Sequence, residues 1–203
     1  MTERNGKELR QKHAETTRDH LVDAAYDLLL LADQTFSHEA IAARAGVGAR
    51  TVYRYFPAQA DLYESLWVRM RRQTGAIFPS LEEQILPQIT TLFGGFNRNE
   101  KVIRAALESP AGHRVRERGA PEGRAAFSKS LAALTASMSP VQKRQLVAVF
   151  LAIYSAPFWE LLRNRGGLSG PDAIAAAEWA MSTLIEGLRR NRPASKDKRR
   201  GKK

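Results

Sequence analysis

The chain has 203 residues, 43% of them apolar, and 32 basic against 21 acidic side chains, a net charge of +11. That apolar content suffices for a packed core in one domain or two small ones. The absence of cysteine excludes disulfides, thiolate metal sites and cysteine nucleophiles together, and no apolar run approaches the roughly eighteen residues of a membrane span.

Residues 1–14 are polar and read as a flexible arm. A first helix is expected over 15–32, with Leu21, Ala24, Ala25, Leu28, Leu29 and Ala32 on its buried stripe. Ser37 stands before the next helix as an N-cap, but Ala40 three residues on cannot complete a capping box. Ile41 and Ala45 share a face of that helix, and small Ala42 beside them admits a close neighbour. Gly46 ends it, since a positive φ is cheap only there, and Val47 turns inward. A second short helix follows over 49–56. Val52 and Phe56, four apart, point inward, while Arg50, Thr51, Tyr53, Arg54 and Tyr55 crowd the rest of barely two turns. Arginine pairs bidentately with guanine, threonine meets a base edge or a thymine methyl, and tyrosine hydroxyls hold phosphates.

Two short helices joined by such a turn form a helix-turn-helix unit. The motif residues Ser37, Ile41, Ala42, Ala45, Gly46, Val47, Thr51, Tyr53, Tyr55 and Phe56 resemble the N-terminal domain of the TetR family of bacterial transcriptional regulators, over about Glu15 to Met70. The resemblance implies that Ser37, Tyr53 and Tyr55 hold the DNA backbone, that Ala49, Arg50, Thr51 and Arg54 face the bases, and that Gly48 belongs to the same surface as a weak cap. Three departures stand out. Gly48 replaces a serine, Ala58 and Gln59 replace a Ser-Lys pair that implies a phosphate contact, and the connection from Ala32 to Phe36 lacks a glycine and is about a residue short.

A connecting helix is expected over 58–79, with Asp61 in its first turn, Leu62, Leu66 and Met70 on one side, and Pro79 as its stop. Ser80 and Glu83 form a capping box for a helix that Pro87 bends and Gly94-Gly95 breaks. A short helix precedes Pro110, and 109–123, rich in Gly, Pro and Arg, reads as a loop. Ser139-Pro140 opens a long helix to Asn164, kinked at Pro157, and Ser169-Gly170-Pro171 starts a last helix to about Arg190. The whole is all-α: a three-helix DNA-binding domain over 15–57, the connecting helix, and a helical ligand-binding and dimerisation domain over 80–190.

The charge is unevenly placed. Residues 1–72 hold 11 basic and 10 acidic groups (+1), 73–188 hold 12 and 10 (+2), and 189–203 hold 9 and 1 (+8). The segment 191–203 is therefore expected to be a disordered basic tail. It either adds salt-sensitive DNA affinity or keeps the protein soluble, and the second reading is favoured.

For the C-terminal part the resemblance implies a small-molecule effector. Trp67, Phe93, Phe96, Phe127, Tyr154 and Phe158 are aromatic candidates for its pocket, with Arg104 and His113 to meet an acidic group, although an aromatic stripe is more often core. Leu146, Val149, Phe150, Ile153, Ile174, Met181, Ile185 and Leu188 are candidates for a four-helix interface between the subunits of a homodimer. His13, His20, His38 and His113 have no metal-ligand spacing, and no cofactor is expected. Without a phosphate loop, a His-Glu-x-x-His or a nucleophile elbow, the chain does not read as an enzyme. The expectation is a cytoplasmic, ligand-responsive repressor binding a palindromic double-stranded operator. The alternative is a helical scaffold or a sequence-nonspecific DNA-binding protein.

Overall fold

The structure, a computed structural model, describes residues 2–31 and 35–190. Within them lie ten α-helices and no strand: α1 (Thr2–Leu29), α2 (His38–Ala45), α3 (Ala49–Tyr55), α4 (Gln59–Thr74), α5 (Ile85–Arg98), α6 (Glu100–Glu108), α7 (Pro110–Ser130), α8 (Pro140–Ile153), α9 (Ala156–Asn164) and α10 (Gly170–Arg190). No single described helix is long and apolar enough to cross a membrane. The chain forms two compact units, one of residues up to Ile77 with Gly94–Glu122, the other of Phe78–Phe93 with Gly123 onward.

In the first unit α1 packs on α2 and α4, and α2 packs on α3. The expected stripe of α1 is buried at Leu21, Ala24, Ala25, Leu28 and Leu29, and it meets a core made by Ile41, Ala42, Val52, Phe56, Leu62 and Leu66. Ala32, placed on the same stripe, lies outside the described residues. In the second unit α8, α9 and α10 pack on one another, around Phe150, Trp159, Ala173, Ala177 and Met181. Phe127 stands 5.8 Å from Phe150 and edge-on to Tyr154 at 5.5 Å, and Phe78 is 5.7 Å from Tyr154.

Several elements differ from the sequence expectation, each for a local reason. α1 begins at Thr2, so the segment read as an arm is helical. Its glutamates, lysines, arginines and glutamines are good helix formers, and the turns with Glu8, Leu9, Gln11 and Lys12 stay exposed. The connecting helix stops at Thr74, five residues before the expected limit, because Gly75 adopts φ 71° and caps it. Gln84, rather than Glu83, caps the next turn: its Oε1 accepts from the Ser80 and Leu81 amides at 2.9 and 3.2 Å. Pro87 leaves α5 continuous, since it falls in the first turn where amides have no intrahelical acceptor.

Glycines misled most. Gly94-Gly95 sits inside α5, and 110–123 is the first two-thirds of α7 with Pro121 in its interior. A Cβ on Gly95 would overlap the Thr74 carbonyl, one on Gly112 the Ala106 carbonyl, and one on Gly119 the Trp67 indole. These glycines are points of close helix approach within the first unit. Finally, the expected long helix 141–164 is two helices: Tyr154 leaves the helical region, Ser155 caps α9 through the Phe158 amide at 3.3 Å, and α8 and α9 meet at a 57° bend. Pro157 therefore occupies the first turn of a new helix rather than a kink.

Gly95→Ala is expected to lower unfolding stability by roughly 1–3 kcal/mol, an overpacking cost. Gly187→Ala, whose Cβ meets nothing within 4 Å, is expected to raise it by about 0.5–1 kcal/mol. Urea unfolding followed by circular dichroism measures both, and equal midpoints for the two variants would refute the close-approach reading.

Candidate nucleic-acid interface

The site is assembled from the N-cap of α2 onward. Ser37 has extended backbone, and its Oγ accepts from the Ala40 amide at 3.1 Å. α2 buries His38, Ile41 and Ala42 and ends at Gly46, whose φ of 67° costs a non-glycine residue about 1–2 kcal/mol. The Val47 amide reaches back to the Ala42 carbonyl at 3.0 Å, closing the turn, and Val47 itself is half-buried. Gly48 then starts α3 without a side-chain cap.

Val52 and Phe56 are fully buried, each contributing about 1.5–3 kcal/mol of apolar burial. They fix which side of α3 faces out. Above the Phe56 ring, at 5.0 Å, lies the Arg18 guanidinium of α1, which also donates to Ser65 Oγ at 2.7 Å. From α2, His38 Nε2–H donates to the Phe56 carbonyl at 2.8 Å, supplying a partner for a carbonyl at the end of α3. The same imidazole stacks on Tyr53, centroids 4.3 Å apart and planes 3° from parallel. Tyr53 in turn donates its hydroxyl to Glu39 at 2.9 Å. Phe56, His38, Tyr53 and Glu39 thus form one continuous clasp between α2 and α3.

The clasp perturbs both of its titratable ends. Glu39 is held below the ordinary carboxylate range by its own backbone amide, then by the Tyr53 and Ser37 hydroxyls. Tyr53 is raised, first by donating to Glu39 and then by its negative charge. The reading of the sequence missed His38 and Glu39, although His38 lies on the same helical face as Ile41 and Ala42, a pattern that marks a buried imidazole.

A second set of contacts orients the unit's neighbours. Gln59, at the position where the resemblance implies a lysine, donates its amide to the Phe36 carbonyl at 2.8 Å, and Phe36 stacks on Tyr63 at 5.6 Å. His20 Nε2–H donates to the Ala45 carbonyl at 3.0 Å, and Arg44 pairs with Asp27 at 2.9 Å. Asp23 pairs with Arg69, and Glu122 with Arg71 at 2.7 Å. With those cations engaged, Arg50 and Arg54 carry the positive charge of α3's exposed face, Arg54 lying 5.1 Å over the Tyr55 ring.

Residues 21–66 match the family model of the tetR family of bacterial regulatory proteins. That match marks residues 21–66 of the chain as a tetR-family domain. Two solved structures share its all-helical fold: a transcriptional regulator from Pseudomonas aeruginosa PAO1, at 19% identity over 88% of this chain and 95% of that one with TM-score 0.57, and the multidrug binding protein EbrR complexed with imidazole, at 20% identity over 89% and 98% with TM-score 0.50. At such identities the likeness is one of fold. No curated protein matches the chain.

On the tetR-family domain the expected DNA-facing residues come together. Gly48, Arg50, Tyr53 and Arg54 are exposed, and Ser37, Ala49, Thr51 and Tyr55 are half-buried beside them. The candidates for pocket and dimer disperse. Trp67, Phe96 and Arg104 belong to the unit that contains the tetR-family domain, and Arg104 pairs with Glu100 at 2.7 Å. Phe93, Phe127 and Tyr154 are buried in the second unit and Phe158 is half-buried. Of the proposed interface residues, Phe150, Ile153, Met181, Ile185 and Leu188 are buried within the chain itself, Leu146 and Ile174 are half-buried, and Val149 is exposed. The exposed apolar side chains of α8–α10 also include Leu161 and, at 72% exposure, Trp179.

Because Glu39 has a folded-state pKa below its unfolded value, its stabilisation is present above the ordinary carboxylate range and is lost as pH falls through the folded value. Glu39→Gln should flatten that acid limb of stability and return one tyrosine toward its ordinary pKa in an ultraviolet titration. An unchanged tyrosine titration would sever the proposed Glu39–Tyr53 link.

Proposed function

We propose that the protein is a cytoplasmic, homodimeric transcriptional repressor that binds a near-palindromic operator and is released by a small-molecule effector. The observation that carries the reading is the outer face of α3: Val52 and Phe56 lock one side into the core, leaving Arg50, Thr51 and Arg54 on the other. Arg50 and Arg54 read guanine edges in the major groove, Thr51 meets a base edge or a thymine methyl with Ala49 beside it, and Ser37, Gly48 and Tyr55 bring the α2–α3 surface against the phosphates. Tyr53 reaches a phosphate by exchanging its Glu39 acceptor or, if it keeps that bond, by its exposed ring edge. Twofold pairing presents two such helices about 34 Å apart, or a multiple of that. The exposed Val149, Leu161 and Trp179, with half-buried Leu146 and Ile174, supply apolar area for the partner subunit.

The effector site is assigned to the second unit's aromatic cluster of Phe78, Phe127 and Tyr154, where a planar apolar ligand has rings to stack on. EbrR, described as a multidrug binding protein with imidazole bound, offers a precedent within the fold. An effector that binds better to a conformation with wrongly spaced recognition helices weakens operator binding, and by linkage the operator weakens effector binding by the same factor. The function is regulatory rather than enzymatic.

Selection of binding sequences from a random DNA pool should recover a near-palindrome. Arg50→Ala should then cost about 1–3 kcal/mol in operator affinity and relax base preference at one position per half-site, while Tyr55→Phe should weaken binding with little change in preference. Salt-sensitive binding without a recovered sequence would favour a nonspecific DNA-binding protein, and no DNA binding a helical scaffold.

A further inference from the structure

The unit that holds the helix-turn-helix also carries a surface cleft of about 430 Å³ that the DNA reading leaves unused. Gln59, Ala60 and Tyr63 of α4 form one wall, and Arg114, Glu117 and Arg118 of α7 the other. We propose that this cleft binds a small anionic ligand, a carboxylate or phosphate monoester, through Arg114, Arg118 and the Tyr63 hydroxyl, and that the ligand biases the helix-turn-helix through Gln59.

The electrostatics suit an anion. Glu117, the cleft's one carboxylate, is already engaged on both oxygens, by Arg114 and His113 at 3.2 Å each. Arg118 has no ion-pair partner among the described residues. Both guanidiniums act on the Tyr63 hydroxyl: burial pushes its pKa up, and Arg114 and then Arg118 pull it down. Two forked donors and a hydroxyl around one concavity match an oxyanion's several acceptor sites. The volume and concavity fit a whole small molecule, whereas a contact with one backbone phosphate needs neither.

The coupling follows from what two of the lining residues already do. Gln59 lines the cleft and donates to the Phe36 carbonyl, while Tyr63 lines it and stacks on the Phe36 ring. Phe36 immediately precedes Ser37, the N-cap of α2. Gln59 keeps one N–H on Phe36 and has a second to offer, so an anion held by Arg114, Arg118, Tyr63 and that second N–H draws on the two side chains that position Phe36. Its affinity then differs with the placement of Phe36, and that difference is what a linkage requires. The anion site stands on the cleft alone, and its effect on DNA rests on the regulator reading.

Phenyl phosphate is the probe, titrated calorimetrically into the full chain and into Arg114→Gln/Arg118→Gln, with melting curves to confirm that the variant is folded. Saturable binding by the parent, weakened at least tenfold in the folded variant, is the expected result. Operator affinity should fall when the probe is added to the parent, and not in the variant. Without probe, the variant should match the parent in operator affinity and salt dependence. No saturable binding by the parent, or undiminished binding by the variant, overturns the site, as does a variant whose operator affinity and salt slope both fall without probe, since the arginines would then serve the DNA backbone. If neither protein binds any operator but the variant alone loses the probe, the anion site is supported and the regulator reading fails.

Discussion

The hydrogen bond from His38 to the Phe56 carbonyl is the constraint around which the DNA-binding unit is organised. α3 has seven residues, too few to hold a helix in water by itself. Its exit carbonyl and one of its outward tyrosines converge on a single imidazole at the start of α2. The burial of Val52 and Phe56 sets the rotation of α3, and His38 sets its angle to α2. The proposed recognition surface has so few side chains that it can work only when both are fixed, because base contacts depend on sub-ångström placement of the donors.

This arrangement gives the near-neutral charge of residues 1–72 a physical sense. Arg44 and Arg69 are committed to carboxylates of α1, and Arg18 to Ser65 and the Phe56 ring. These cations hold α1 and α4 around the helix-turn-helix, and Arg50 and Arg54 remain on the outer face of α3. Individually such exposed pairs contribute little stability. Their consequence is geometric, since they decide which arginines are available to a polyanion. Gln59 shows the same economy, orienting the segment that leads into α2 at a position where a cation would have faced solvent.

How much was legible followed the range of the forces involved. The helix-turn-helix was readable because its determinants are local: a hydroxyl cap at Ser37, a left-handed glycine at Gly46, a four-residue spacing from Val52 to Phe56. The capping of α8 by Ser139 was readable for the same reason. Gly95, Gly112 and Gly119 were misread as breaks because in isolation a glycine signals only backbone freedom, while the reason for its presence is a carbonyl or an indole from another helix. Phe150 and Met181, buried within the chain, read in the sequence as candidates for a subunit interface, because an apolar helical stripe has the same appearance whether a neighbouring helix or a second chain covers it.

By itself, the sequence determined the all-helical class, the limits of α2 and α3, and the side of the recognition helix that faces out, since caps, turns and periodicity act over a few residues. Tertiary structure alone decided that His38 clasps α3, that Gln59 ties α4 to Phe36, and that Arg114 and Arg118 meet Tyr63 across a cleft. Each of those contacts joins residues from 18 to 55 apart whose pairing depends on how the helices pack, and packing depends on the shape of the whole buried surface rather than on any local pattern.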